Sequence, residues 1–378
     1  MIYFKWKNGQ WSYGAVENQH NLATKNKHDT IVPIQMKQPN ESLKMLGVHL
    51  APDGNQEEQY KYMFKKALQL GEFMKNGFVW KDEAFLALKS IALKTIEYPL
   101  PATSLSEKQL RLIMWQLLQH YLPKSGINRY INRDVLYTEL KFQGMNVPNP
   151  YILQGCQHIH DMLEHLHKKS ITGHLIETSL ELLRVELGHN LPIFSKDISL
   201  IKNLQITESW VVDVWRFCAE QQIQLNVNVP TLPFLCINDV CIMDQVLKCK
   251  KIHLKDIPTI NRCHLFLRAF MLSDITLGDG KHISHEAWTG SYSGPTGREG
   301  TYWPTIPQPS ASDWKKWRDV LRVVFCTDRT LSLDTPLGAW NKFPSCLWWI
   351  NPHTKTLFQK GNEKWGVYYL RSKRTRNL

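Results

Sequence analysis

The stretch that decides the fold is Leu43-Lys44-Met45-Leu46-Gly47-Val48-His49-Leu50, followed by the turn residues Pro52-Asp53-Gly54-Asn55. The first segment predicts a short strand, and Pro-Asp-Gly-Asn predicts the turn that ends a β region. Beyond the turn, apolar and small residues recur at helical spacing, namely Tyr60, Met63, Phe64, Ala67, Gly71 and Met74. The chain therefore changes here from strands to helices, and the first helix carries Lys61 and Lys65 together on an adjacent face.

The N-terminal residues predict a β-hairpin. Asn8-Gly9 lies between two alternating segments, and both residue types readily adopt the positive φ angles that a two-residue type I′ turn requires. Two aromatic pairs would then share one face, Trp6 with Trp11 and Phe4 with Tyr13. A lone hairpin is marginal in water, so we expect this one to pack against the strand near residues 46–50. A further short strand is predicted from Ile31 to Met36.

Helical periodicity dominates the middle of the chain. It recurs from Asp82 to Ile96 and at about 152–168, 172–188, 207–222 and 260–273. Ser104-x-x-Glu107 and Ser310-x-x-Asp313 each have the spacing of a capping box, in which a serine and an acidic residue satisfy backbone N–H groups at the start of a helix. The sequence thus predicts helices opening near both serines.

We expect an α+β fold with a small N-terminal antiparallel sheet, a long mainly α-helical middle and a small Trp-rich C-terminal module. The expected divisions are a β region (1–55), a helical region with a basic loop (56–150), a helical domain (151–288), a linker rich in Gly, Pro, Ser and Thr (289–312), and a Trp-rich module with a basic tail (313–378).

The composition restricts the class of function. The chain of 378 residues has a formal net charge of +12, and this surplus favours polyanionic partners such as nucleic acid. It contains no run of apolar residues long enough to span a membrane, and its N-terminus lacks the features of a signal peptide. The eight scattered cysteines indicate a reduced, intracellular protein, cytoplasmic or nuclear.

Three blocks of sequence resemble the C-terminal part of non-LTR retroelement reverse transcriptases, the thumb and the region beyond it. The first is the Leu46-Gly47-Val48 segment followed by a lysine-bearing helix, which is similar to the end of the polymerase palm and the start of the thumb. The second, Gly126-Ile127-Asn128-Arg129, is similar to the "GINR" block. The third, around Gly144, resembles the "GGLGI" block but departs from it at Gln143, Met145 and Asn146.

The resemblance implies an RNA-directed DNA polymerase, yet the residues for catalysis are missing. Polymerases hold two metal ions with closely spaced carboxylates, and reverse transcriptases supply part of this site from a Tyr-x-Asp-Asp hairpin. The sequence contains no Asp-Asp pair. The resemblance places the catalytic motifs upstream of Met1, so we expect a noncatalytic chain with no catalytic residues, no metal site and no cofactor.

The residues expected to bind nucleic acid are Lys61, Lys65, Lys124, Arg129, Arg133 and Lys141. Between residues 108 and 141, six lysines and arginines stand against two acids. The resemblance implies that these side chains contact phosphates of an RNA or DNA template–primer, weakly and without sequence preference. The alternative is a solvated loop with a mild excess of positive charge.

Other groups of residues permit other interpretations. His158, His160, His165 and His167 crowd one helix around Glu164 and permit a metal site, although exposed histidines on a helix are common. Cys236, Cys241, Cys249 and Cys263 lack the tight spacing of a zinc site and are better explained as core residues. Trp348-Trp349 could stack on single-stranded bases or serve a core.

Two further functions remain open from the sequence. Asp274 and Asp279 could form the acid pair of a nuclease, or could simply belong to a turn, since Asp-Gly-Lys follows an apolar run. The chain could also be an interaction protein, or an inert remnant of a decayed element, with no role in nucleic-acid binding. A continuous basic surface would favour binding, and an open carboxylate cluster would favour an enzyme.

Overall fold

A computed structural model describes residues 2–7, 10–15, 23–33, 40–190, 193–195, 204, 206, 208–227, 234, 236–291, 306–326, 331–339, 348–351, 356–360 and 365–369. The chain divides into two compact units. Unit 1 comprises Met1–Lys5 and Trp11–Lys168, and unit 2 comprises Trp6–Gln10 and Lys169–Leu378. The described elements are mainly helices with several small sheets, which confirms the predicted α+β class.

The N-terminal strands pair two by two. They are β1 (Ile2–Lys7), β2 (Gln10–Ala15), β3 (Ala23–Lys25), β4 (Ile31–Pro33), β5 (Leu43–Met45) and β6 (Val48–Leu50). β1 pairs with β2, β3 with β4, and β5 with β6, so the described residues of this region form three separate two-stranded sheets in place of the single predicted one. The predicted hairpin is present, but it shares no strand with β5 and β6, and its aromatic pairs lie outside the described side chains.

The predicted strand from Leu43 to Leu50 is wrong in one respect, because a turn divides it into β5 and β6. Met45 pairs with Val48, which leaves Leu46-Gly47 as a two-residue loop with φ angles of +48° and +89°. Positive φ at both loop residues is the geometry of a type I′ turn, which fits the twist of antiparallel strands. The Tyr98 hydroxyl donates a hydrogen bond to the Leu46 carbonyl oxygen at 2.7 Å and so holds the positive-φ conformation of Leu46.

Unit 1 is built around helix pairs. Its α-helices are α1 (Glu57–Asn76), α2 (Lys81–Ala87), α3 (Leu93–Glu97), α4 (Glu107–Lys124), α5 (Arg133–Tyr137) and α6 (Pro150–Lys168). A π-helical segment, Leu88–Ala92, joins α2 to α3, so the helix predicted from Asp82 to Ile96 is continuous but wider in its middle. α1 packs most extensively against α4.

The interface of α1 and α4 forms the core of unit 1. Fully buried apolar residues of α4, among them Leu110, Ile113 and Leu117, pack with Met63 and Ala67 of α1. These α4 residues lie on the apolar stripe that the sequence predicts. At about 25 cal/mol per Å² of apolar surface removed from water, such a stripe supplies the main stabilisation of the helix pair.

The start of α4 corrects a predicted capping box. The cap is Ser106, whose hydroxyl accepts the Gln109 backbone N–H at 3.3 Å, while the Gln109 side chain accepts the Ser106 backbone N–H at 2.9 Å. Ser104 and Glu107, the predicted pair, have the same spacing two residues earlier. Spacing alone does not distinguish overlapping boxes, because the choice depends on where the preceding chain leaves the core.

Unit 2 contains α7 (Ile171–Leu187), α8 (Trp210–Glu220), α9 (Ile242–Lys248), α10 (Ile257–Leu267), α11 (His285–Thr289) and α12 (Ala311–Phe325). α12 packs against α10 and α11, and the predicted Ser310–Asp313 capping box at its start is confirmed. Three antiparallel strands follow, β7 (Trp348–Asn351), β8 (Thr356–Lys360) and β9 (Trp365–Tyr369). Most of the predicted linker (292–305) lies outside the described residues.

Candidate nucleic-acid interface

All six residues predicted to bind nucleic acid lie in unit 1. They occupy α1 (Lys61 and Lys65), the last turn of α4 (Lys124), the segment that leads into α5 (Arg129), the start of α5 (Arg133) and a short 3₁₀ helix beyond it (Lys141). The described contacts of these residues are of two kinds, bonds to acceptors of the protein and positions beside aromatic rings, and Lys141 has both.

Three of the lysines bond a carboxylate or a helix-end carbonyl group. Lys124 donates to the Gly77 carbonyl oxygen at 3.0 Å and so binds a carbonyl group at the C-terminal end of α1. Lys141 lies 2.6 Å from a carboxylate oxygen of Glu139. Lys61 lies 3.5 Å from Glu57, with a second acid of the same helix turn beside it. Each of these contacts offsets part of the attraction between the lysine and a phosphate.

Arg129 and Arg133 lie at the two ends of a pair of neighbouring aromatic rings. Arg129 lies over the Tyr130 ring at 4.7 Å from its centroid, and the Tyr130 and Trp115 ring centroids are 6.3 Å apart. Arg133 lies 5.9 Å from the Trp115 centroid. We call these four residues the arginine–aromatic cluster. Tyr130 is 68% exposed, so one ring of the cluster is open to solvent.

Local hydrogen bonds hold the segment that carries the cluster. The Asn128 side chain accepts the Tyr130 backbone N–H at 2.9 Å, and the Asn132 side chain accepts the Asp134 backbone N–H at 2.9 Å as the N-cap of α5. Asparagine favours both positions because its short side chain reaches the backbone two residues ahead. Ile127 packs against the core of unit 1, so the segment is anchored on its apolar side.

A cleft opens beside the cluster, with a volume of about 400 Å³. It is lined by residues of α4, α5 and the start of α6, namely Glu107, Leu110, Arg111, Met114, Trp115, Leu118, Arg133, Asp134, Tyr137, Asn149, Pro150 and Tyr151. Burial raises the pKa of Tyr137, and Glu107 raises it further, while Arg133 lowers it. Tyr137 therefore keeps its hydroxyl proton at neutral pH and can donate it to a ligand.

Sequence reasoning missed Trp115, Tyr130 and Arg111 as candidates, although one signal was present. In the sequence of α4, Leu110, Met114 and Leu118 recur at helical spacing on one face, and Trp115 does not belong to this series. In the structure Trp115 is half-buried, lies beside one guanidinium group and one ring, and is not a member of the core cluster. A large aromatic residue off the buried face of a helix, followed by a basic loop, is the pattern that points to this surface.

The histidine-rich helix α6 brings together only part of its predicted set. Ligand atoms of His160, Asp161 and Glu164 lie within 4.8 Å of one another, the only such group of three among the described residues. Glu164 forms an ion pair with Lys168, which holds its pKa below the usual range. The carboxylate is thus already paired with a lysine, and His158 is buried.

Asp274 and Asp279 each serve local backbone structure. The Asp274 carboxylate accepts the backbone N–H groups of Phe270 and Met271, both at 2.8 Å, and is buried. Asp279 accepts the backbone N–H of Lys281 at 2.8 Å in an exposed turn. Neither belongs to a group of three potential metal ligands within the described ranges. These contacts agree with the turn interpretation and offer nothing to the nuclease alternative.

The described cysteines are thiols. Cys236, Cys241 and Cys263 are buried, and burial raises the pKa of Cys236 and of Cys263 to about 12. Cys249 is partly buried, and these four form no metal-binding group among the residues the structure describes. They agree with the core interpretation. The side chains of Trp348 and Trp349 and the basic tail beyond residue 370 lie outside the described part of the chain.

Comparison with known proteins adds no relative. The chain matches no protein-family model, no curated protein and no solved structure. Among the described helices, none combines the length and the apolar character that crossing a membrane requires. The function must therefore be inferred from the chemistry of the residues themselves.

Proposed function

We propose that this chain is a noncatalytic remnant of a reverse transcriptase that binds template–primer nucleic acid through unit 1. The observation that carries the proposal is the arginine–aromatic cluster, which joins two guanidinium groups to an exposed ring. The resemblance of the surrounding "GINR" block to retroelement reverse transcriptases supports the choice of nucleic acid as partner. The net charge of +12 supports a polyanion in general.

The cluster offers both kinds of contact that sequence-tolerant binding requires. Guanidinium groups donate paired hydrogen bonds to phosphate oxygens, and their planar shape lets them stack on rings. Aromatic rings stack on any base, with about 1–3 kcal/mol per base. Arg129 and Tyr130 are both exposed and adjacent in the chain, so one strand can contact both at once.

The contacts of the six predicted residues indicate how much each would contribute to nucleic-acid binding. We expect Lys65, Arg129 and Arg133 to supply most phosphate contacts, because Lys65 is exposed and the two arginines belong to the cluster. We expect Lys141 to contribute less, because Glu139 lies beside it. Lys124 bonds a helix-end carbonyl, so its replacement would affect the stability of unit 1 more than binding.

The test is a salt titration of binding to duplex DNA and to a DNA–RNA hybrid. Each phosphate neutralised on B-form DNA contributes about −0.9 to the slope of log K against log salt concentration. Arg129→Ala, Arg133→Ala and Lys65→Ala should each make the slope shallower by roughly this amount. Lys141→Ala is the matched control, with a change of less than half as much.

Two results would overturn the proposal. The first is that the intact chain binds neither oligonucleotide at about 20 mM salt, where phosphate contacts are strongest. The second is an unchanged slope in the triple variant of Lys65, Arg129 and Arg133 with native circular dichroism. Either result favours an interaction protein or an inert remnant.

A further inference from the structure

The cleft beside the arginine–aromatic cluster has the dimensions of a ligand site. Its volume of about 400 Å³ falls within the range of roughly 300–1,000 Å³ typical of small-molecule sites. It is formed by three elements of one unit, α4, α5 and the first residues of α6. The α5 helix is fixed on the core side by Leu136, which is fully buried, so the cleft is a built feature of unit 1.

Arg133, a residue of the cleft lining, has a nitrogen without a hydrogen-bond acceptor among the described residues. This atom, Nη1, is buried. Its other terminal nitrogen, Nη2, donates to the Arg129 carbonyl oxygen at 3.4 Å, which is a long bond. A buried donor without a partner is costly, and charged donors are the most costly of all. Arg133 therefore has no strong acceptor among the described residues, and a turn of its guanidinium group toward an anionic oxygen of a ligand would remove this cost.

We infer that the cleft takes one unpaired nucleotide of the bound strand. This inference rests on the proposed function and adds its ligand class, a base together with its phosphate. Arg111 and Arg133 supply donors for the phosphate, and three rings, those of Trp115, Tyr137 and Tyr151, supply apolar faces for the base. A simple anion would use only the arginines of this lining, and an apolar ligand would use only its rings.

The acidic residues of the lining also fit a base. Glu107 and Asp134 line the same cleft as the two arginines. Carboxylates accept hydrogen bonds from the exocyclic amino groups of bases and repel phosphates. The acidic residues of the lining therefore favour the base, and the arginines favour the phosphate.

A paired base does not enter such a cleft without leaving its helix. Extrusion costs a few kcal/mol for a paired base and least for a base that is already unpaired. The surface described above binds the backbone of duplex and single strand alike, whereas the cleft distinguishes them. The protein therefore prefers nucleic acid with an unpaired nucleotide to the fully paired duplex.

The experiment compares two labelled DNA–RNA duplexes by fluorescence anisotropy with the full chain. One duplex carries a single bulged adenosine, and the other carries an abasic bulge at the same place. The adenosine bulge should bind about five- to 150-fold more tightly, the effect of one stacked base. A ratio near one would overturn the inference. A failure of both duplexes to bind would instead overturn the proposed function.

Two variants test the role of the cleft. Arg133→Lys keeps the charge but loses the planar fork, and Trp115→Leu keeps an apolar side chain but loses the stacking face. Trp115→Leu should bring the ratio of the two affinities below about one half of its native value. Arg133→Lys should weaken both duplexes, because both carry the phosphate of the bulge. Lys65→Ala, which lies outside the cleft lining, should weaken both duplexes and leave the ratio unchanged. A native ratio in Trp115→Leu would contradict the inference.

A competition experiment with free adenosine monophosphate tests whether the cleft binds a nucleotide of a strand or a free nucleotide. For a strand nucleotide, adenosine monophosphate should bind in the millimolar range and compete only with the adenosine bulge. Tight binding of free adenosine monophosphate without any preference for the bulge would overturn the assignment to a bound strand. Inorganic phosphate at the same concentration controls for ionic strength.

Discussion

Replacing Gln154 by leucine tests the packing that positions the cleft. Gln154 is buried on α6, and its side chain accepts the Leu105 backbone N–H at 3.1 Å and donates to the Leu105 carbonyl oxygen at 2.9 Å. Thr103 also donates to Gln154, at 3.3 Å, but this hydroxyl has a second acceptor in the Leu100 carbonyl oxygen. The amide thus satisfies both backbone groups of the residue just before the α4 cap.

The cost of Gln154→Leu follows from these contacts. Two buried backbone groups lose their partner, at about 1–3 kcal/mol each, which gives about 2–6 kcal/mol. The buried leucine side chain returns about 1.5–3 kcal/mol. We expect unit 1 to lose about 2 kcal/mol of unfolding free energy. The start of α4, with Glu107 at its first turn, should exchange its amide hydrogens faster.

The assay is urea unfolding followed by hydrogen exchange of peptides from α4, which report on unit 1 alone. Gln157→Leu, on the exposed side of the same helix, is the matched control and should change stability by less than about 0.5 kcal/mol. Equal stability of the two variants would refute the reasoning, because it would mean that the amide contributes nothing beyond its volume.

The isolated chain should extend no primer with template, deoxynucleotides and Mg²⁺ or Mn²⁺, since the sequence lacks an Asp-Asp pair; template-dependent incorporation by clean protein would contradict this. Gly71→Ala should destabilise unit 1 by about 1–3 kcal/mol, because its Cβ would lie 2.4 Å from the Gln116 carbonyl oxygen of α4. Helix propensity alone predicts a gain in stability of about 1 kcal/mol for this replacement. Glu72→Ala, at an exposed position of the same helix, is the control. In thiol labelling read by mass spectrometry, exposed Cys156 should react first, and Cys263, whose pKa burial raises to about 12, should react only on unfolding.

Local sequence predicts elements well where the signal is contained in a few neighbouring residues. The helix around Met63 and the Ser310–Asp313 capping box are examples, since periodicity and capping depend on residues within one or two turns. The Leu43–Leu50 strand fails for the same reason. Leu43-Lys44-Met45 and Val48-His49-Leu50 each alternate, but in opposite phase, and the pairing of β5 with β6 shows that Leu46-Gly47 between them forms a turn.

The candidate site was predictable as a region but not as a set of contacts. The sequence has an excess of positive charge between residues 108 and 141, and all of these residues lie in unit 1. Arg129 and Arg133 were predicted, whereas Trp115 was not, because its contact with Tyr130 joins α4 to a loop beyond it. The cleft depends on a third element, α6, whose contribution no pattern indicates.

The sequence by itself determined the α+β class, the positive charge, the absence of an Asp-Asp pair and most helices, since these depend on composition or on neighbours along the chain. Only the tertiary structure decided which charges are available to a partner. Lys124 bonds a carbonyl 47 residues away, whereas Arg133 has a buried nitrogen with no acceptor among the described residues. The physical reason is that the strength of a charge depends on its distance from other groups and on its burial, and both are set by folding.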